Sequence, residues 1–228
     1  MSAPLIAFRK LDKRYGSQPV LQDVALSLHL GQCILLAGEN GSGKTTLLKI
    51  LAGLEAPSHA EVEYNGTTRP WKTAVRAYQP EVIYLHQTPY LFNGTVASNV
   101  AYGLRFTDLS RAQQRDALAR ALAWANLTEQ ANRPAHTLSG GVRQRVAFTR
   151  AWVLSPKILL LDEPIANMDE TSRQQTCELL DRMKSEGMSI VITSHDAQPF
   201  ATLADVRFQL ENHQLHPCEP PSPAGESV

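Results

Sequence analysis

The chain runs to 228 residues, long enough to bury a sizeable core in one or two domains. Lys plus Arg is 22 and Asp plus Glu is 22, a zero balance that argues against a nucleic-acid binder working by bulk charge. Cys33, Cys177 and Cys218 lack C-x-x-C spacing, and neither a signal-peptide stretch nor an apolar run of about 18 residues is visible, which argues against a disulfide framework, a zinc site and a membrane span.

Residues 5–10 and 20–28 read as strands, the second alternating at Val24, Leu26 and Leu28. Tyr15 lies between them. Gly31 turns the chain into residues 33–37, an apolar run that suits a buried strand. Then comes Gly38-Glu39-Asn40-Gly41-Ser42-Gly43-Lys44-Thr45, a phosphate-binding loop with every required position filled. Its glycines let backbone N–H groups turn inward around an anion. Lys44 can reach β- and γ-phosphates, and the Thr45 hydroxyl can hold Mg²⁺. Residues 46–52, opening on Thr46, suit a helix whose N-terminus faces the phosphates. Residues 61–65 with Gly66 read as a short strand and turn, and residues 82–86 as an apolar strand followed by Gln87.

From about residue 87 to 156 the character changes. Residues 96–104, 111–126 and 140–154 look helical, with Ala117, Leu118, Ala121, Leu122 and Ala125 at helical spacing. Ser139 suits an N-cap, and Gly140 and Gly141 let N–H groups approach an anion. Residues 158–162 form an apolar strand that ends in adjacent carboxylates, Asp162 and Glu163. Asp169 suits the cap of a helix starting at Glu170. Residues 190–193 form a last buried strand, which puts His195 at the edge where α/β sheets bind ligands. Residues 217–228 hold four prolines and read as a disordered tail. Strands alternating with helices around a phosphate loop predict an α/β fold, a P-loop NTPase core with a mostly parallel sheet and an inserted helical subdomain.

Phosphoryl transfer to water needs a held phosphate, a neutralising metal, a positioned water and donors for the developing charge. The loop and Lys44 supply the first. Asp162 can bind Mg²⁺ together with Thr45, and Glu163 beside it can polarise the attacking water.

The order of phosphate loop, Leu138-Ser139-Gly140-Gly141, the strand ending Asp162-Glu163 and the strand ending in His195 resembles the ATP-binding subunits of ABC transporters. The resemblance runs from about residue 5 to 216. It implies a single ATPase domain over 1–216, with a catalytic core in 1–86 and 157–216, a helical subdomain in 87–156, and an antiparallel side sheet built from the early strands. It makes His195 the switch histidine and Gln87 the glutamine that touches Mg²⁺ or the water. Tyr15 becomes the aromatic that stacks on adenine. Ser139, Gly140 and Gly141 then act in trans, in a head-to-tail homodimer that sandwiches ATP, with Asp169 at the same interface.

The resemblance also implies integral-membrane permease subunits as partners, an extracytoplasmic solute-binding protein acting indirectly, and a peripheral place on the cytoplasmic face of the inner membrane. The short chain is similar to bacterial importers, and residues 84–92 with Thr95-Val96 and Asn99-Val100 are most similar to those for tungstate. Importers for molybdate or phosphate stay close competitors. Pro89-Tyr90-Leu91-Phe92 reads either as a docking cluster for a membrane subunit or as core packing. Two positions depart from the family pattern: Val142 where Gln or Glu is common, and Asn167-Met168 before Asp169. The alternatives are a soluble ABC ATPase acting on DNA or ribosomes, and a small-molecule P-loop kinase that leaves the Ser139 motif and His195 without a purpose.

Overall fold

The computed structural model describes residues 3–218, and its strands fall into two sheets. β1 (Ile6–Tyr15), β2 (Gln18–Leu28), β4 (His59–Tyr64) and β5 (Thr67–Pro70) form an antiparallel side sheet in the order β2-β1-β4-β5. The main sheet has the order β10-β9-β3-β8-β7-β6. It contains β3 (Cys33–Ala37), β6 (Val82–Leu85), β7 (Ile158–Asp162), β8 (Ser189–Ser194), β9 (Val206–Glu211) and β10 (Gln214–Cys218). Its strands run parallel except for β10, which pairs antiparallel with β9.

β3, β7 and β8 are buried at every residue because both sheet faces are covered. On one face Ile34, Leu36, Leu160 and Val191 pack with Leu47 and Leu51 of α1 (Lys44–Leu51) and with the side sheet; α2 (Trp71–Tyr78) adds Tyr78. On the other, Leu35, Leu161, Ile190 and Ile192 pack with Phe148 of α5 (Gly140–Trp152) and with Leu180 and Met183 of α6 (Glu170–Ser185). α3 (Val96–Ala101) and α4 (Arg111–Trp124) join α5 in a separate helical cluster around Val96, Val100, Leu122 and Val146. Among the described residues, no helix is long and apolar enough to cross a membrane.

The seam between the helices and the core carries a specific fastening. Trp124 of α4 and Trp152 of α5 stack at 4.6 Å and 11°. Both indole N–H groups donate to one carboxylate, Glu186 just after α6, at 3.1 and 2.6 Å.

Some expectations need correction. β1 continues to Tyr15, so this residue ends a strand instead of lying between two. Pro217 and Cys218, expected in the tail, pair with Phe208 and Arg207 in β10. Proline is tolerated there because β10 is an edge strand. The rest of that predicted tail, 219–228, lies outside the described residues. β5, α2, β9 and β10 were not expected. Asn65 and Gly66, both at positive φ, make the tight turn joining β4 to β5.

Candidate functional site

Parallel pairing sets the site. Ala37 is in register with Ser194, Thr193 with Asp162, and Leu161 with Leu85. The four strands therefore end at one edge, and the residues just beyond them, Gly38, His195, Glu163 and Gln87, meet there. His195, Glu163 and Gln87 border a cleft of about 610 Å³ that is also lined by Tyr15, Asn40, Gly41, Gly43, Lys44, Thr45, Thr46 and Asp162.

The loop before α1 folds as its glycines require. Gly38 sits at φ +154°, and a Cβ there would lie 2.7 Å from the Leu210 carbonyl oxygen. Gly43 sits at φ +111° against the Val20 side chain. Lys44 is buried, and its ammonium donates to the carbonyls of Gly38 at 2.7 Å and Glu39 at 2.9 Å. Burial pulls its pKa below the usual lysine value, partly opposed by Glu163 and Asp162. Glu39 and Ser42 turn the other way, toward a second cleft beside Leu210 and Asn212.

Asp162 is only 4% exposed and is held from three sides. Thr45 and Thr193 hydroxyls donate to its Oδ1 at 3.1 and 2.8 Å, and the Tyr84 hydroxyl donates to Oδ2 at 3.1 Å. Glu163 follows in the left-handed region, φ 46°. Its N–H donates to Thr193, to the carbonyl at 3.2 Å and the hydroxyl at 3.1 Å, which holds this unusual backbone in place. His195 Nδ1 donates to Glu163 Oε2 at 3.0 Å, and Lys44 Nζ stands 4.0 Å from Oε1. Among the described residues, that Oε1 is buried without a hydrogen-bond partner. The two adjacent carboxylates thus differ: one accepts three hydrogen bonds, the other keeps an oxygen without a partner.

The donor set suits Mg²⁺. Thr45 hydroxyl, Asp162 carboxylate and Gln87 amide are hard oxygen ligands lining one cleft. Among the described residues no cluster of three or more His, Cys, Asp or Glu could hold a metal alone. Such a sparse set fits an ion that arrives with phosphate oxygens and keeps water in its shell.

The remaining predicted residues lie elsewhere. Ser139, Gly140 and Gly141 do not line the cleft. Ser139 has the extended backbone of an N-cap, but among the described residues its side chain makes no capping bond, contrary to expectation. Gly141 packs against Ser172, where a Cβ would come within 2.4 Å of the hydroxyl. Asp169 does cap α6, accepting from the Ser172 N–H at 2.8 Å and its hydroxyl at 3.1 Å. Sequence reasoning missed Tyr84 and Thr193, which hold Asp162, and Arg173, which lines the cleft. The first two stood inside apolar strands, and their link to Asp162 comes only from strand register.

Comparison with known proteins agrees with this geometry. The family described as ABC transporter matches residues 21–166. The chain belongs to that family. It is 36% identical to the putrescine transport ATP-binding protein PotG of Escherichia coli strain K12, over 88% of this chain and 53% of that one. It is 39% identical to the aliphatic sulfonates import ATP-binding protein SsuB of Mycobacterium avium, over 91% of this chain and 78% of that one. The chain thus spans about half the length of the first relative and most of the second. A solved structure, cbiO1 from Clostridium perfringens, described as part of the ABC transporter complex cbiONQ, superposes with a TM-score of 0.85 at 25% identity. That match covers 94% of this chain and 87% of that one. The fold is therefore the mixed α/β fold of ABC ATP-binding subunits. The ATP-binding domains of importers in this family are ATPases coupled to transport.

Proposed function

We propose that this chain is the ATP-hydrolysing motor subunit of a bacterial importer. The observation that carries the reading is Glu163, poised between Lys44 and His195 beside an Asp162 that two threonines and a tyrosine hold in place. ATP phosphates take the Lys44 ammonium in place of the loop carbonyls. Thr45, Asp162 and Gln87 would hold Mg²⁺, whose charge would neutralise that of the phosphates. Glu163 orients a water and accepts its proton as the water oxygen bonds to the γ-phosphorus. The bond from γ-phosphorus to the bridging oxygen breaks, leaving ADP and phosphate. His195 keeps the carboxylate in place.

Ser139, Gly140 and Gly141 do not line this cleft, which supports a homodimer in which each copy completes the other's site. An aromatic row crosses the helical layer: Tyr90, Phe92, Tyr102 and Phe106, with centroids 5.6, 4.3 and 5.6 Å apart in turn. Tyr90 is 72% and Phe106 77% exposed, whereas Leu91 and Phe92 are half-buried. Buried Asn99 fixes Phe92 by bonding both its N–H and its carbonyl, at 2.8 and 3.1 Å. This row supports docking of integral-membrane permease subunits, which would place the chain peripherally on the cytoplasmic face of the membrane. An extracytoplasmic solute-binding protein then acts only through the permease. The narrower assignment to tungstate or a related oxyanion rests on residues 84–100 alone. The relatives' own solutes, putrescine and aliphatic sulfonates, do not support it.

The test is ATP-dependent dimerisation of Glu163→Gln, followed by size-exclusion chromatography with light scattering. The expected result is a dimer with ATP and a monomer with ADP. A monomer in both would refute the paired-site motor.

A further inference from the structure

The base end of the cleft holds a device that the phosphate chemistry does not use. Tyr15 is 49% exposed at the end of β1, where an unsupported aromatic side chain would rotate freely. Instead its hydroxyl donates to the carboxylate of Glu55. The Lys13 ammonium bonds the same carboxylate at 2.8 Å and the Ala56 carbonyl at 2.8 Å, and stands 4.6 Å from the Tyr15 ring centroid. Glu55 is itself tied to α1, the helix that begins at the phosphate loop, through its N–H to the Lys49 carbonyl at 3.2 Å.

We propose that Glu55 is a positioning residue for nucleotide: it locks the Tyr15 ring to the end of α1, and Lys13 covers one ring face, so that adenine stacks on the other. The inference rests on the reading of Tyr15 as the adenine platform. It follows that one rigid helix sets the span from phosphate cradle to base platform. A platform already immobilised loses less freedom when a base stacks on it. Lys13 makes its contact through charge on the ring face, so it leaves the phosphate cradle untouched.

The test measures, by calorimetry on the full chain, affinity for Mg-ATP and for inorganic tripolyphosphate, which lacks a base. Tyr15→Phe and Glu55→Ala should each weaken ATP binding roughly three- to tenfold and leave tripolyphosphate unchanged. Because both break the bond between Tyr15 and Glu55, the double variant should lose no more than Glu55→Ala alone, which also frees Lys13. If both variants keep the parent's ratio of ATP to tripolyphosphate affinity while Tyr15→Ala lowers it, the Glu55 role falls and the platform stands. If Tyr15→Ala also keeps that ratio, the platform reading falls and takes the inference with it. Losses that multiply in the double variant would show Glu55 acting by a route other than Tyr15, which overturns the proposal. Tyr15→Phe keeps the ring and its packing, so the question survives a Glu55→Ala variant that does not fold.

Discussion

The cleft edge of the main sheet and the first turn of α5 both carry glycines beside polar side chains, yet they are finished to different degrees. At the sheet edge Lys44 and Asp162 already have partners within the chain. At the first turn of α5, Ser139 stands exposed and uncapped, and Gly140 opens onto empty space. A polar helix start normally satisfies its own N–H groups, because leaving them bare costs stability. The contrast supports the proposed homodimer, in which the cleft is the half-site furnished by one copy and the first turn of α5 the half-site offered to a second.

The largest effect should come from Glu163→Gln. Steady-state turnover should fall by on the order of 10²–10⁴, the usual weight of a positioned base, with ATP affinity retained. Near-normal turnover would take the base role from Glu163. Next, Lys44→Ala removes the charged partner of the phosphates and should weaken ATP binding by roughly a hundredfold in calorimetry. Unchanged affinity would remove its role. Ser139→Arg sharpens the comparison from the other side. It should leave ATP affinity of the monomer within about twofold and abolish ATP-dependent pairing in the Glu163→Gln background. A variant that still pairs would show that the first turn of α5 is not an interface. The smallest effect belongs to Glu186→Ala, which strands two partly exposed indole N–H groups. It should cost about 1 kcal/mol, a melting-temperature drop of roughly 2–4 °C in calorimetry.

Much of the cleft was legible because its residues sit at ends of unbroken apolar runs. Residues 33–37, 158–162 and 190–193 read as buried strands from composition alone; Asp162, Glu163 and His195 follow from their ends, and Lys44 from the glycine-rich motif after the first. The support for Asp162 was not legible. Tyr84 and Thr193 reach it only because three parallel strands adopt one register, which no local pattern encodes. The left-handed backbone of Glu163 was hidden for a related reason: its two bonds to Thr193 join residues on neighbouring strands. Ser139 misled because its residue type and backbone both fit a cap, yet the side chain is unused. β9 and β10 escaped because their alternation is weak and a proline interrupts the second, an arrangement possible only at a sheet edge.

The stacked tryptophans have a practical consequence. The chain has three tryptophans, and two of them are Trp124 and Trp152, in face-to-face contact where helices α4 and α5 meet the end of α6. Their overlap depends on the angle between those elements. Ultraviolet emission of the unlabelled chain therefore acts as a goniometer for that angle, over the separate emission of Trp71 in α2. A nucleotide that turned these helices against the core would announce it in that emission, without a dye.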